Sequence, residues 1–571
     1  MNRFLLFFIF FSLLFPQGLS RAEILLNRAD QLIEQKPNNP SGYLNYLSVL
    51  NVVLDEKDGD WDDYSKIYDE KINQGFYNIF EGVTVERVQQ NPEYYSPHIR
   101  FAKLFEYSKE VPEEQSFEYL LDKILTFDRI NNILMADNSN QLYIDYHQNL
   151  GIDKINDIFE YLMVGYKDVI IYQLEHDGVE YLDRIDIYIL KMNEEDNDFY
   201  RVDIYEYFAD MSGNLYDNTG ALLHEGNEEI ESFFYDDDYN LLFEERIKLF
   251  EDALSDNIEP AMYKPARMFY DVLIDGIKNL HEDFSEDLLI IPDPSISNIP
   301  FEFLTDNEDN LLMYHHNITY SNSLYQYYED MKRYDSKWTE NNSLTDEQAD
   351  KKLANWNPNI VVFGEVRYNA VDQSPLLEMG FTKLRNLRWS NKELDSIQNQ
   401  FQDKKRTIYR EKLATETMVK NLDFDTVDFL HFSTHGISLY DNHKKSSLIL
   451  QNDNINDGFL TYEEVLKLDL SNLEFVFLSA CDTNKGENFR NINLLSLQKA
   501  FKDAGARNVL STLWEIDDKA TSVFSGIYYE MLMIDPLYPD LALTEAKIKF
   551  IERYPEYDSP HYWAAFVNYG Y

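Results

Sequence analysis

Val427-Asp428-Phe429-Leu430-His431-Phe432 runs without a break into Ser433-Thr434-His435-Gly436. The first six residues are a short, mostly apolar run of strand character. The last four end it in small and polar residues. A second stretch repeats the design: Leu473-Glu474-Phe475-Val476-Phe477-Leu478 leads into Ser479-Ala480-Cys481-Asp482-Thr483. Leu288-Leu289-Ile290-Ile291, Asn359-Ile360-Val361-Val362-Phe363 and Asn508-Val509-Leu510-Ser511-Thr512-Leu513-Trp514 are strands of the same kind. Helical patterns lie between several of them, as over 390–401 and 494–504. Apolar strands alternating with helices predict a mostly parallel sheet flanked by helices, an α/β class. In such sheets the working residues sit just past the carboxyl ends of the strands.

Two of those ends carry reactive side chains. If their strands are parallel neighbours, His435 and Cys481 face each other across a cleft, 481 − 435 = 46 residues apart in sequence. That gap has room for a crossover. A thiol attacks as thiolate, and an imidazole within reach takes its proton. The oxyanion that then develops needs donors aimed at it. The backbone N–H groups of Gly436 and Cys481 are the candidates, Gly436 because no side chain blocks a close approach. His435 is thus the candidate base and Cys481 the candidate nucleophile. Cys481 is also the only cysteine of the 571 residues, so no internal disulfide can form.

Further ordered segments accompany the pair. They are Ile290-Ile291-Pro292-Asp293 with Ile299-Pro300-Phe301-Glu302-Phe303-Leu304, then Thr319-Tyr320-Ser321-Asn322-Ser323. Ala504-Gly505-Ala506 leads to Ser511-Thr512-Leu513-Trp514-Glu515-Ile516-Asp517-Asp518, and Tyr562-Trp563-Ala564-Ala565-Phe566-Val567 comes near the end. With the His-Gly and Ala-Cys segments, they make residues 245–571 resemble the CHAT family, caspase-like cysteine peptidases related to separase. The resemblance implies a caspase-like fold, His435 as base and Cys481 as nucleophile. It also implies peptide hydrolysis through a thioester, and neither a metal nor another cofactor. One departure stands out: Gly486-Glu487-Asn488-Phe489-Arg490 lacks glycines usual in the loop after the cysteine. The relation to separases further implies that an acidic residue near Trp514 receives a basic P1 side chain, nominating Asp517 or Asp518. The same two residues also suit the start of the next helix, where Asp is favoured. His431, inside its strand, reads as a core residue. An alternative is a silent member of the same fold that serves as a binding or scaffold module.

The remaining chain divides by pattern. Met1-Asn2-Arg3, the apolar run Phe4 to Phe15 and the small-residue site Ser20-Arg21-Ala22 follow the order of a secretory signal. The run is shorter than the roughly 20 residues of a membrane span. Residues 1–22 are therefore expected to be a signal peptide and the protein to be exported, periplasmic or extracellular, from a bacterium. Residues 23–150 read as helical. A helix, the turn Pro37-Asn38-Asn39-Pro40 and a second helix resemble a tetratricopeptide-like pair, without a clean period of about 34 residues. Residues 151–240 are mixed, with strands at 169–172 and 186–190, turns at 212–214 and 218–220, and an acidic linker at 235–239. The peptidase-like domain is expected over 241–571.

Composition limits the partners. Lys and Arg total 51 against 102 Asp and Glu, a formal net charge of −51. Such a surface repels phosphate backbones and anionic lipid heads, which argues against nucleic acid. Basic polypeptides are the better match for a substrate, and the N-terminal helical region is the candidate contact for a protein partner. Hydrophobic residues make up 44%, enough for sizeable cores.

Overall fold

The computed structural model describes residues 20–55, 57, 61–80, 83, 98, 101–102, 120–121, 123–125, 167–176, 181–195, 199–236, 239, 241–281, 284–338, 356–378, 382–437, 445–480, 493–534 and 538–570. The chain forms two compact units, one of residues 1–151 with 174–184 and one of residues 152–173 with 185–571. The first contains the helices Arg21–Gln35, Pro40–Asp55 and Trp61–Phe80. Ser20 caps the first of these through a reciprocal box with Glu23. Ile33, Tyr43, Leu44, Leu47, Ile72, Ile79 and Phe101 form the core of this unit. Pro40 opens the second helix at its first position, where proline's missing N–H costs nothing. Among the described residues no helix is long and apolar enough to cross a membrane. The expected signal segment lies outside the described residues up to position 19.

The second unit is built on one large sheet, of which residues 174–176 and 181–184 of the first two strands belong to the first unit. Its strands in chain order are β1 (Asp168–His176), β2 (Tyr181–Glu195), β3 (Phe199–Asp210), β4 (Leu215–Asp217), β5 (Leu222–His224), β6 (Asp287–Ile291), β7 (Asn317–Tyr320), β8 (Asn359–Gly364), β9 (Lys405–Arg410) and β10 (Phe429–Ser433). A separate three-stranded sheet follows, of β11 (His435–Ile437), β12 (Ser447–Ile449) and β13 (Phe459–Thr461), and the large sheet resumes with β14 (Phe475–Ser479), β15 (Asn508–Thr512) and β16 (Phe566–Gly570). The order across the large sheet is β5-β4-β3-β2-β1-β6-β7-β16-β15-β14-β10-β8-β9. From β1 to β9 the pairings recorded are parallel except that of β15 with β16. This is the mostly parallel, helix-flanked α/β architecture expected from the alternation of strands and helices.

Two features were not legible in that alternation. The C-terminal strand β16 threads back into the middle of the sheet, between β7 and β15. The strands of the mixed segment also continue the same sheet, with β1 paired in parallel along β6. Tyr235 and Leu241 form an isolated antiparallel bridge.

The centre of the sheet follows the pleat. Leu430, Phe432, Val476 and Leu478 belong to a core cluster that includes Leu497, Ala500 and Phe501 of the helix Asn493–Asp503. The alternate residues face the helices Ser390–Gln400 and Asp518–Leu532. On that face Phe429 packs against Phe475, and His431 against Phe477. The next pair in register is Ser433 with Ser479, where the stripe turns from apolar to polar.

Candidate active site

β10 and β14 are adjacent and parallel, and their last residues, Ser433 and Ser479, are register partners. The Thr434 N–H donates to the Ser479 carbonyl at 3.3 Å, so the two chains remain side by side as they leave the sheet. His435 is the second residue past one strand end, and Cys481 the second past the other. Cys481 itself, with the whole segment 481–492 and its atypical glycine pattern, lies outside the described residues. Its neighbour Ala480 is buried, and a Cβ placed on Gly436 would meet the Ala480 carbonyl oxygen at 3.3 Å and its Cβ at 3.5 Å. The His-Gly pair therefore packs against the residue that precedes the cysteine.

His435 is held from three sides. It starts β11, which runs antiparallel to β12 with His435 opposite Ile449. Its backbone N–H donates to the Tyr368 hydroxyl at 2.7 Å, and that hydroxyl donates to the Ile449 carbonyl at 3.2 Å. The Tyr368 ring stands edge-on to the imidazole with centroids 4.6 Å apart. His435 Nε2 lies 2.8 Å from the Arg385 carbonyl oxygen. A carbonyl can only accept, so Nε2 carries the proton and Nδ1 keeps its lone pair. Burial lowers the pKa of His435, and the hydrogen bond to Arg385 only partly opposes it. The side chain is thus a neutral imidazole at neutral pH with one nitrogen able to accept a proton.

The two nominated carboxylates separate by role. Asp517 is exposed and caps the helix Asp518–Leu532, accepting from the N–H groups of Lys519 and Ala520, each at 3.1 Å. Asp518 is half-buried and accepts the Trp389 N–H at 2.7 Å, in the same connection that supplies the Arg385 carbonyl. Burial raises its pKa. Hydrogen bonds from Trp389 and Arg388 oppose the rise, and the nearby charges of Glu393 and Asp517 add to it. Asp518 is therefore the one of the two that lies close to the His435 surroundings.

Below the strand ends lies a polar layer that the sequence did not reveal. Glu393, on the helix Ser390–Gln400, is buried and accepts from the hydroxyls of Ser433, Ser479 and Ser525 at 2.5, 2.7 and 2.6 Å. His431, the residue expected in the core, is fully buried and bonds Tyr529 through Nδ1 at 3.0 Å. Gly364 lets this helix approach, since a Cβ there would meet Leu394 at 2.7 Å and the Ser390 hydroxyl at 2.9 Å. Tyr368, Arg385 and Glu393 carried no sequence signal. Each acts through a contact between segments tens of residues apart. Among the described residues no group of three or more His, Cys, Asp or Glu is placed to hold a metal ion.

Comparison with known proteins gives a family. The family described as "CHAT domain" matches residues 263–571, just over half of the chain. No curated protein matches the sequence. Two crystal structures of the Saccharomyces cerevisiae separase–securin complex are similar over 93% of this chain. One has 12% sequence identity and a TM-score of 0.45, the other 13% and 0.46. In both, the matched region is 40% of the other chain's length.

Proposed function

The chain belongs to the CHAT domain family, and from that premise we propose that it is an exported cysteine endopeptidase working through His435 and Cys481. The observation that carries the reading is the geometry of His435. A partly buried imidazole has its Nε2 proton committed to the Arg385 carbonyl, just past the end of the strand that pairs in register with the one leading into Cys481.

The chemistry follows from those groups. Nδ1 of His435 takes the thiol proton of Cys481, and the thiolate attacks the carbonyl carbon of the scissile peptide. The tetrahedral oxyanion is received by the N–H groups of Gly436 and Cys481. Its collapse breaks the C–N bond, and the departing amine takes the proton from His435. Water then attacks the thioester carbonyl and gives a proton to His435, releasing the carboxylic acid and restoring the thiol. Asp518 is the proposed acceptor for Arg or Lys at P1. A neutral side chain there would leave a half-buried carboxylate without an opposite charge beside it, which supports discrimination. The acidic surface favours basic polypeptide substrates. The N-terminal helices are proposed to contact a protein partner.

A peptide-library digest by the full-length protein beside Cys481→Ala tests the activity. We expect cleavage after Arg or Lys by the wild type and none by the variant, with both folded. Equal product from the two, or none from either, would end the peptidase reading. Amino-terminal sequencing of protein recovered outside the cytoplasm tests export.

A further inference from the structure

We propose that Glu393 is a positioning residue for the candidate dyad, a single buried carboxylate that fixes the relative placement of the two strand ends leading to His435 and Cys481. This inference rests on the peptidase reading and adds to it a residue outside the strand-end motifs.

Ser433 stands two positions before His435, and Ser479 two positions before Cys481. Both hydroxyls donate to Glu393, Ser433 to one carboxylate oxygen at 2.5 Å and Ser479 to the other at 2.7 Å. Parallel strands are already tied by backbone bonds, but the register pairing of β10 with β14 ends at this pair. The carboxylate acts where the ladder stops. It is itself fixed by the Ser525 hydroxyl at 2.6 Å and by the position of His431 Nε2 at 3.3 Å. Ser390, one turn earlier on the same helix, lies 2.8 Å from the Ser433 hydroxyl and 3.2 Å from the Ser433 carbonyl, and its hydroxyl accepts the Glu365 N–H at 2.9 Å.

A stability role alone explains this poorly. Taking a carboxylate out of water is costly, and apolar replacements of buried charged groups are often neutral or stabilising. Burial pushes the pKa of Glu393 up. Interactions with His431, Ser433 and Ser525 outweigh that and hold it below the usual carboxylate value. The result is an anion whose orientation is set by hydroxyl donors from three elements, Ser433 on β10, Ser479 on β14 and Ser525 on the helix Asp518–Leu532, with His431 Nε2 3.3 Å away. Tyr529 holds His431 from that helix, and the charged neighbour is Asp518. A one-ångström error in the meeting of base and nucleophile costs about a hundredfold in rate, so a rigid tie at this point has a kinetic consequence.

The test uses the full-length chain as wild type, His435→Ala, Glu393→Gln and the double variant Ser433→Ala/Ser479→Ala. Thermal melts report folding. Iodoacetamide modification of the sole cysteine, followed by mass spectrometry across pH, reports the thiol–imidazole couple without any substrate. The wild type should react at pH values below the ordinary thiol pKa of about 8.5, and His435→Ala should abolish that limb. In Glu393→Gln we expect the limb to weaken about tenfold or more and kcat to fall by about ten- to a hundredfold, with KM nearly unchanged. A folded Glu393→Gln protein with the wild-type limb and kcat would overturn the proposal. Should Glu393→Gln fail to fold, the double variant, which leaves Ser525 and His431 on the carboxylate, decides by the same readouts. A wild-type limb indifferent to His435→Ala would instead remove the dyad, and the role of Glu393 with it.

Discussion

The imidazole of His435 has one nitrogen occupied by the Arg385 carbonyl and the other left as a base, and its burial disfavours the charged ring. The sign for activity follows. Protonation of Nδ1 removes the base, and a lowered pKa moves that loss to more acidic pH. The acid limb of kcat/KM should therefore fall below the ordinary histidine value of 6.5. A pH profile on a fluorogenic Arg peptide measures it, and a midpoint above 6.5 would contradict this account. The residue types of the site were legible in the sequence, because His-Gly and Ala-Cys at strand ends are chemically unusual neighbours. The carbonyl that selects the tautomer was not, since every residue has one and only the fold aims it.

At the scale of elements, the helix Asp518–Leu532 begins with two carboxylates that do different work. Asp517 satisfies two otherwise unpaired N–H groups of the first turn. Asp517→Ala should cost about 1 kcal/mol of stability in urea unfolding and leave P1 preference intact. Asp518→Asn should do the reverse: little change in the midpoint, but cleavage after Arg reduced about tenfold or more relative to a neutral residue. A preference carried by Asp517 would instead appear as lost Arg discrimination in Asp517→Ala and none in Asp518→Asn. Sequence reasoning left the pair unresolved because both positions suit a cap. The choice came from the Trp389 amide, which approaches Asp518 from a connection about 130 residues away in the chain. The strands that carry the site were legible to within a residue or two, as at Phe475–Ser479, because their apolar runs end in abrupt polar steps.

At the scale of the molecule, the large sheet does not stop at the family match. β1 lies along β6 in register from Asp168 with Leu288 to Ile171 with Ile291. A truncation that removes residues 23–240 would strip that partner and expose the edge of β6, apolar from Leu288 to Ile291, as a template for edge-to-edge pairing. Such a protein should be recovered mainly as aggregate, checked by size-exclusion chromatography. A monodisperse, cooperatively melting product would show that β6 tolerates a free edge.

By itself the sequence determined the class of the C-terminal sheet and the place of the two candidate residues, His435 and Cys481, just past the ends of neighbouring strands. Those properties are written in local hydrophobic period and in residue chemistry. The tertiary structure decided the position of β16 within the sheet, the continuation of the sheet through β1, the different hydrogen-bond contacts of Asp517 and Asp518, and the gathering of Ser433, Ser479 and Ser525 on Glu393. Each of those depends on contacts between segments far apart in the chain. No local pattern encodes them, because the free energy that selects them comes from burial and hydrogen bonding only after the elements have packed.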